Sequence, residues 1–145
     1  MSSKAFVIAD AIAARLTSQA SLAGVTCMVD RQKDIATEVA KSVAKISACC
    51  VVVLYDGFKN PDAALSGNPS VIRSYTVSVF GKPVLAGTTG MLAADVMEIA
   101  AIALHNWVPD EATTFIAECN VTGGDYRPDK YYLIFELSVD VTSKL

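Results

Sequence analysis

The chain has 145 residues, of which 52% are apolar and 19% are charged, and its formal net charge at neutral pH is −3. This length suits a single domain spanning residues 1–145. The apolar fraction is high for that size, so we expect a partner to cover part of the surface. The acidic balance argues against a general nucleic-acid binder, and the lack of any apolar run of about 18 residues argues against a membrane-spanning helix.

Two helices and one short strand are predicted in the first third of the chain. In the first helix, residues 3 to 20, apolar side chains recur every four residues: Ile8, Ile12, Leu16 and Ala20. Val25 to Val29 is a short strand candidate. A second helix is predicted after Asp34, a suitable N-cap. Its apolar stripe is narrow and consists of Ile35, Val39, Val43 and Ile46.

The central part of the chain predicts a long antiparallel hairpin. Cys49 to Tyr55 is a continuous apolar and β-branched run, which is typical of a strand buried on both faces. Asp56 to Pro69 is rich in Gly, Asn, Pro and Ser and predicts a long loop. Val71 to Phe80 then alternates, with three hydroxyl side chains on one face: Ser74, Thr76 and Ser78. Because long loops within domains are often functional, this loop is a candidate contact surface.

The last third predicts a buried helix followed by a second hairpin. The helix, roughly Met91 to Trp107, is apolar around most of its circumference, so we expect burial on more than one side. Strands are predicted at Thr114 to Thr122 and at Tyr131 to Val141, with a loop from Gly123 to Lys130 between them. The predicted order is therefore α-β-α-β-β-α-β-β. This order indicates an α+β domain with a mainly antiparallel sheet and helices on one face.

The residues that carry chemistry do not form a sharp catalytic or metal-binding motif. The four cysteines include no CxxC pair and the chain has one histidine, so we expect reduced thiols in the core and neither a metal nor another cofactor. His105 shares helical spacing with Asp95 and Glu98, the one arrangement that would support proton transfer. The polar edge of a buried helix explains these three residues more simply, so we expect no enzymatic activity.

Three acidic side chains are candidates for the lining of a pore: Glu118, Glu136 and Asp140. All three are predicted on strand positions that face away from the core. The simplest interpretation is a solvated sheet face. If copies of the chain form a ring with this face inward, the acids would repel nucleic acid from the wall of the hole and let it slide through.

Five residues are candidates for contacts with partner proteins: Phe58, Lys59, Tyr126, Arg127 and Tyr132. The first two lie in the predicted long loop, where an exposed aromatic side chain suits a partner contact. The other three lie near the predicted final turn, and Tyr and Arg are enriched in protein interfaces. Burial of these aromatic side chains in the core is the alternative.

Four segments of the chain resemble tail terminator proteins of tailed bacteriophages and phage-tail-like particles. They are VVVLYDGFKNPDAA (Val51 to Ala64), SYTVSVF (Ser74 to Phe80), LAADVMEIAAIALHNW (Leu92 to Trp107) and the closing hairpin with YYLIFELSVDV. The resemblance covers nearly the whole chain. It rests on the order, size and local composition of the elements rather than on one motif.

The resemblance implies a structural protein of the virion that is assembled in the host cytoplasm. Proteins of this family are small α+β domains that form a hexameric ring on the head-proximal end of the tail tube and end tail polymerisation there. The ring then joins neck and head completion proteins, and in contractile tails it contacts the sheath protein. DNA passes through the lumen without specific binding. Two other interpretations stay open: another phage neck or adaptor subunit, and a small homo-oligomeric binding module.

Overall fold

The computed structural model describes residues 4–30, 39, 49–59, 69–81, 93–108, 118–128 and 133–145. Over these residues the chain forms helices α1 (Lys4–Thr17) and α2 (Ala93–Leu104), a short 3-10 helix (Ala20–Leu22) and five strands. The strands are β1 (Thr26–Val29), β2 (Cys49–Lys59), β3 (Ser70–Gly81), β4 (Asn120–Pro128) and β5 (Leu133–Lys144).

The strands form one mixed sheet in the order β1-β2-β3-β5-β4. β1 and β2 are parallel, whereas the β2–β3, β3–β5 and β5–β4 pairs are antiparallel. The predicted α+β class is therefore confirmed, and both predicted hairpins pair as antiparallel neighbours. The predicted second helix lies outside the described residues except for Val39, so the full predicted order of elements stays a prediction.

The main core lies between one sheet face and the two helices, α1 and α2. Within α1, the predicted apolar positions Ile8, Ile12 and Leu16 are fully buried. They recur every four residues, so they form one stripe along the helix, and that stripe packs on the sheet. The inward side chains of the strands include Val51, Val77 and Val139. We call this the helix-bearing face.

The opposite sheet face is covered near β2. Val39 is a helical residue that packs there against Cys50 and Val52, and all three are buried. The prediction that β2 is buried on both faces is confirmed at this position. The prediction that helices lie on one face only is wrong at Val39, because a strand that is apolar on both sides requires cover on both sides.

Strand β2 is longer than the sequence pattern predicts. The loop predicted from Asp56 begins instead after Lys59, because pairing with β3 continues through Gly57, Phe58 and Lys59. The register shifts by one residue between Tyr55 and Gly57, and Gly57 has φ of 112°. A bulge of this kind takes up one extra residue, and a positive φ favours glycine. The Asp-Gly pair therefore marks a bulge rather than the end of the strand. Residues 60–68 lie outside the described residues.

The predicted loop from Gly123 is wrong, because β4 runs from Asn120 to Pro128 and pairs with β5 along this length. Gly124 lies against the end of the Met97 side chain, where a Cβ atom would collide, whereas a Cβ atom on Gly123 would meet open space. The rest of the predicted strand, residues 114–117, and Tyr131 at the predicted start of β5 lie outside the described residues.

The Tyr75 side chain links the sheet to the start of α1. Its hydroxyl group donates a 2.7 Å hydrogen bond to the carbonyl oxygen of Ala5, and the residue is almost fully buried. We expect the Tyr75→Phe variant to lose about 0.5–1.5 kcal/mol of unfolding free energy, because one hydrogen bond is lost while the Ala5 carbonyl group remains inside the hydrogen-bonded helix α1. Urea unfolding of both proteins would measure the difference, and a loss well below this range would mean that water replaces the hydroxyl group.

Candidate interaction surfaces

The sheet face opposite α1 and α2 is rich in polar groups, and we call it the polar sheet face. The β3–β5 register places Ser74 opposite Asp140, Thr76 opposite Ser138 and Ser78 opposite Glu136. Opposed residues of an antiparallel pair share a face. Two of the three pore candidates, Glu136 and Asp140, therefore lie together on this face, as their alternation predicts.

The acids of the polar sheet face have polar or cationic partners. Asp140 accepts a 3.0 Å hydrogen bond from Ser74 Oγ and lies 3.9 Å from Lys59 Nζ. Glu136 Oε1 lies 3.0 Å from both Arg127 Nε and Arg127 Nη2. Cations next to two of the acids reduce the negative potential of this face. A ring lumen lined by the polar sheet face would therefore repel DNA less strongly than a lumen lined by three acids without cationic partners.

The third pore candidate, Glu118, does not lie on a strand. It is exposed and precedes β4, which begins at Asn120. The neighbouring Cys119 exchanges backbone hydrogen bonds with the residues that follow α2: Asn106 N–H donates to its carbonyl oxygen, and its own N–H donates to the Trp107 carbonyl oxygen, both at 2.9 Å. These bonds pair the segment with the residues after α2 instead of with β5, so the predicted strand position of Glu118 is wrong.

The contact candidates Phe58 and Lys59 are exposed, but they lie on β2 and not in a loop. Phe58 is 51% exposed and is paired with Arg73, so it lies on the helix-bearing face. Lys59 is paired with Ile72 on the polar sheet face. A strand holds both side chains at fixed positions, which suits a contact surface better than a mobile loop does.

Arg73 is a buried cation that our sequence-based predictions missed. It is 6% exposed, and its guanidinium group donates to Ser143 Oγ (2.9 Å), the Tyr55 hydroxyl group (3.1 Å) and the Lys144 carbonyl oxygen (3.4 Å). It also lies 6.0 Å from the centre of the Phe58 ring, within the range of a cation–π contact. The sequence could have indicated this burial. Arg73 lies two residues before the inward-facing Tyr75, and strand alternation places both side chains on the same face.

Two of the remaining contact candidates, Tyr126 and Arg127, lie near the C-terminal end of β4, and both are exposed. The Tyr126 ring packs on the Phe135 ring with 4.7 Å between centroids, yet Tyr126 remains 53% exposed. Arg127 forms the ion pair with Glu136. Tyr132 lies outside the described residues.

An open groove of about 470 Å³ lies between α2 and β4, and we call it the α2–β4 groove. Its described lining consists of Ala101, Ile102, His105 and Val121. Ile102 is 80% exposed, the highest fraction among the large apolar side chains that the structure describes as exposed. An apolar side chain that projects from a groove loses its contact with water when a protein partner covers it, which favours association.

His105, which lines the groove, has a structural role. Its Nδ1 atom accepts a 3.2 Å hydrogen bond from the backbone N–H of Val121, so it links the end of α2 to β4. In the neutral ring the proton then lies on Nε2. Across the described ranges, no three His, Cys, Asp or Glu side chains lie together as a possible metal site. Asp95 and Glu98 are exposed on α2.

Three of the four thiols, those of Cys27, Cys49 and Cys119, are not activated for nucleophilic chemistry. All four cysteines are in the thiol form. Burial raises the pKa of Cys119 to about 12 and also raises the pKa values of Cys27 and Cys49. A reactive cysteine requires a lowered pKa, because the thiolate is the nucleophile.

Within the described part of the chain, no helix is both long and apolar enough to span a bilayer. Comparison with known protein families finds no family model that matches this chain, and no curated protein sequence matches it.

Proposed function

We propose that this chain is a ring-forming structural subunit that caps a tail tube, as the phage tail terminator proteins that it resembles do. The observation that carries the proposal is the α2–β4 groove with its projecting Ile102. The apolar groove and the isoleucine that is 80% exposed beside it together form a surface that a protein partner can cover. Contact with a protein subunit would bury this surface.

The chemistry of the described side chains also favours assembly over catalysis. Cys119 is kept protonated by burial, and the Nδ1 atom of His105 is used in a structural hydrogen bond. Nucleophilic or acid–base catalysis requires such groups to be exposed to a substrate. These two side chains therefore stabilise the fold in this proposal.

In the proposed assembly, six copies form a ring in which one patch of each subunit meets a different patch of the next. The part of the polar sheet face that β3 and β5 form lines the lumen, through which DNA passes, because Val39 covers this face near β2. The flat sides of the ring contact the tail tube protein and the neck or head completion proteins. In a contractile tail the ring also contacts the sheath protein. The protein is thus a virion component of the tail and neck region.

Negative-stain electron microscopy of the purified protein, alone and with polymerised tail tube protein, tests this proposal. We expect six-fold rings, either free or bound at one end of each tube, and tubes that stop growing when the protein is added. A particle that stays monomeric and leaves tube growth unchanged would contradict the proposal.

The Ile102→Glu substitution tests the groove itself. A charge at its apolar rim opposes burial by a partner, so we expect association to weaken at least about tenfold, which corresponds to about 1.4 kcal/mol. The thermal unfolding midpoint should hardly change, because the side chain is exposed. Ala14→Glu is the matched control, since Ala14 is an exposed position of α1 that does not belong to the described lining of the groove. Equal association of both variants and the parent would exclude the groove as a contact.

A further inference from the structure

Basic side chains cluster at one end of the sheet. The structure describes six Lys and Arg residues, and four of them lie where β2 and β5 end and β3 and α1 begin. These four form the basic end: Lys4, Lys59, Arg73 and Lys144. Lys59 and Lys144 are paired with Ile72 and Ser70 at the start of β3, and Lys4 Nζ donates to the Leu145 carbonyl oxygen at 3.2 Å. The three lysines are exposed.

The β2 bulge adds an aromatic side chain to the basic end. Without the bulge, strand alternation would place Phe58 on the polar sheet face, on the same side as Val52 and Leu54. The register shift between Tyr55 and Gly57 moves Phe58 to the face of Arg73. There it is half exposed beside a buried guanidinium group that is held by three hydrogen bonds. Bulges commonly re-aim a side chain in this way.

Exposed acids outnumber cations at the other end of the sheet, where the exposed Arg127 is paired with Glu136. Helix α2 begins beside Gly81, the last residue of β3, because a Cβ atom on Gly81 would lie 2.7 Å from the Ala93 Cβ atom. The first half of α2 exposes Asp95 and Glu98, and Asp125 of β4 is exposed opposite Glu136. We call these three exposed acids the acidic end: Asp95, Glu98 and Asp125.

The two ends cannot neutralise each other within one molecule. The sheet register places Lys59 level with Ile72 and Asp125 level with Ser78, so six residues of β3, or roughly 20 Å at about 3.3 Å per residue, separate these two side chains along the strand direction. The Debye length at physiological salt is about 8 Å, so the attraction between the ends is screened inside a single subunit. Close contact between a basic end and an acidic end requires two molecules.

We propose that the basic end of one copy, with Phe58 as its apolar anchor, docks on the acidic end of the next copy. This contact joins two different patches, so it can repeat around a closed ring. The inference rests on the proposed ring and identifies the surfaces of its subunit contact. The occupant is a second copy rather than nucleic acid, because the chain as a whole is acidic and Asp140 lies beside Lys59 within the patch. An exposed aromatic next to complementary charges suits a protein interface.

A charge-exchange experiment tests this contact. The Lys59→Glu/Lys144→Glu variant has acids at both ends, and the Asp95→Lys/Glu98→Lys variant has bases at both ends. The Lys59→Arg/Lys144→Arg variant keeps the charge and is the matched control. Self-association of each variant, and of an equimolar mixture of the two reversed variants, is measured by analytical ultracentrifugation and native mass spectrometry at low and high salt.

We expect each reversed variant alone to associate at least about tenfold more weakly than the parent, because like charges meet in the contact. The mixture should recover rings in which the two variants alternate, and the arginine control should behave as the parent does. Circular dichroism should show that every variant is folded, since the reversed side chains are exposed.

Other outcomes overturn the inference in distinguishable ways. Parent rings that are insensitive to either reversal, or a mixture that does not reassemble, would exclude this contact while leaving the ring itself intact. A parent chain that stays monomeric alone and with tail tubes would exclude both the contact and the proposed function. Tight binding of a fluorescent DNA duplex that is lost in the Lys59→Glu/Lys144→Glu variant, without an effect on rings, would assign the basic end to nucleic acid.

Discussion

Replacing Ile12 with alanine is expected to lower the free energy of unfolding by about 2–5 kcal/mol. Ile12 lies in the middle of the α1 stripe and is fully buried against the sheet. Its removal costs the transfer free energy of the deleted methyl and methylene groups, and it leaves a cavity that the surrounding side chains fill only partly. Urea unfolding followed by circular dichroism measures the change.

Val7→Ala is the matched control, because Val7 belongs to the same helix but is 41% exposed. Its unfolding free energy should change by no more than about 0.5 kcal/mol. If the two variants lose the same free energy, the α1 stripe does not pack on the sheet as described. Loss of more than about 5 kcal/mol for Ile12→Ala would mean that α1 detaches as a whole.

The protein is expected to lose stability as the pH rises above about 9. A solvated cysteine thiol ionises with an ordinary pKa of 9.0, and burial raises the pKa of Cys119 to about 12 in the folded protein. Above pH 9 the Cys119 thiol therefore loses its proton in the unfolded chain but keeps it in the folded protein. Ionisation then stabilises the unfolded state relative to the folded state. One pKa unit corresponds to about 1.4 kcal/mol, so the loss would reach at most about 4 kcal/mol near pH 12.

Unfolding midpoints in urea, measured under reducing conditions between about pH 8 and pH 11, test this expectation. The Cys119→Ala variant is the control and should show a shallower fall, because its unfolded state has one thiol less to ionise. A smaller slope should remain, since burial also raises the pKa of Tyr75. If parent and variant have the same slope, the Cys119 thiol ionises with a similar pKa in the folded and unfolded states.

Local periodicity predicted the elements whose faces are consistent along their length. The four-residue spacing of Ile8, Ile12 and Leu16 predicted the buried stripe of α1, and all three are buried. Alternation along β5 predicted that Leu137 and Val139 face the core while Glu136 and Asp140 face away. Such patterns depend only on the geometry of a helix or a strand, so a sequence is sufficient to show them.

Local composition was misleading where glycines lie inside strands. Gly57 follows the bulge in β2, and Gly123 and Gly124 lie within β4, yet each segment was predicted as loop. Glycine is common in turns because of its conformational freedom. Here β3 and β5 provide the hydrogen-bonding partners that keep these segments extended, and Met97 occupies the space that a side chain at position 124 would need.

The sequence by itself determined the α+β class, the buried stripe of α1 and the polar and apolar faces of β3 and β5, since all of these follow from side-chain spacing. The tertiary structure decided where the candidate residues lie. It placed Phe58 beside the buried Arg73, moved Glu118 off the sheet and concentrated basic side chains at one end. These placements depend on strand register and on contacts between residues far apart in the chain, and a one-residue shift such as the β2 bulge reverses every face beyond it.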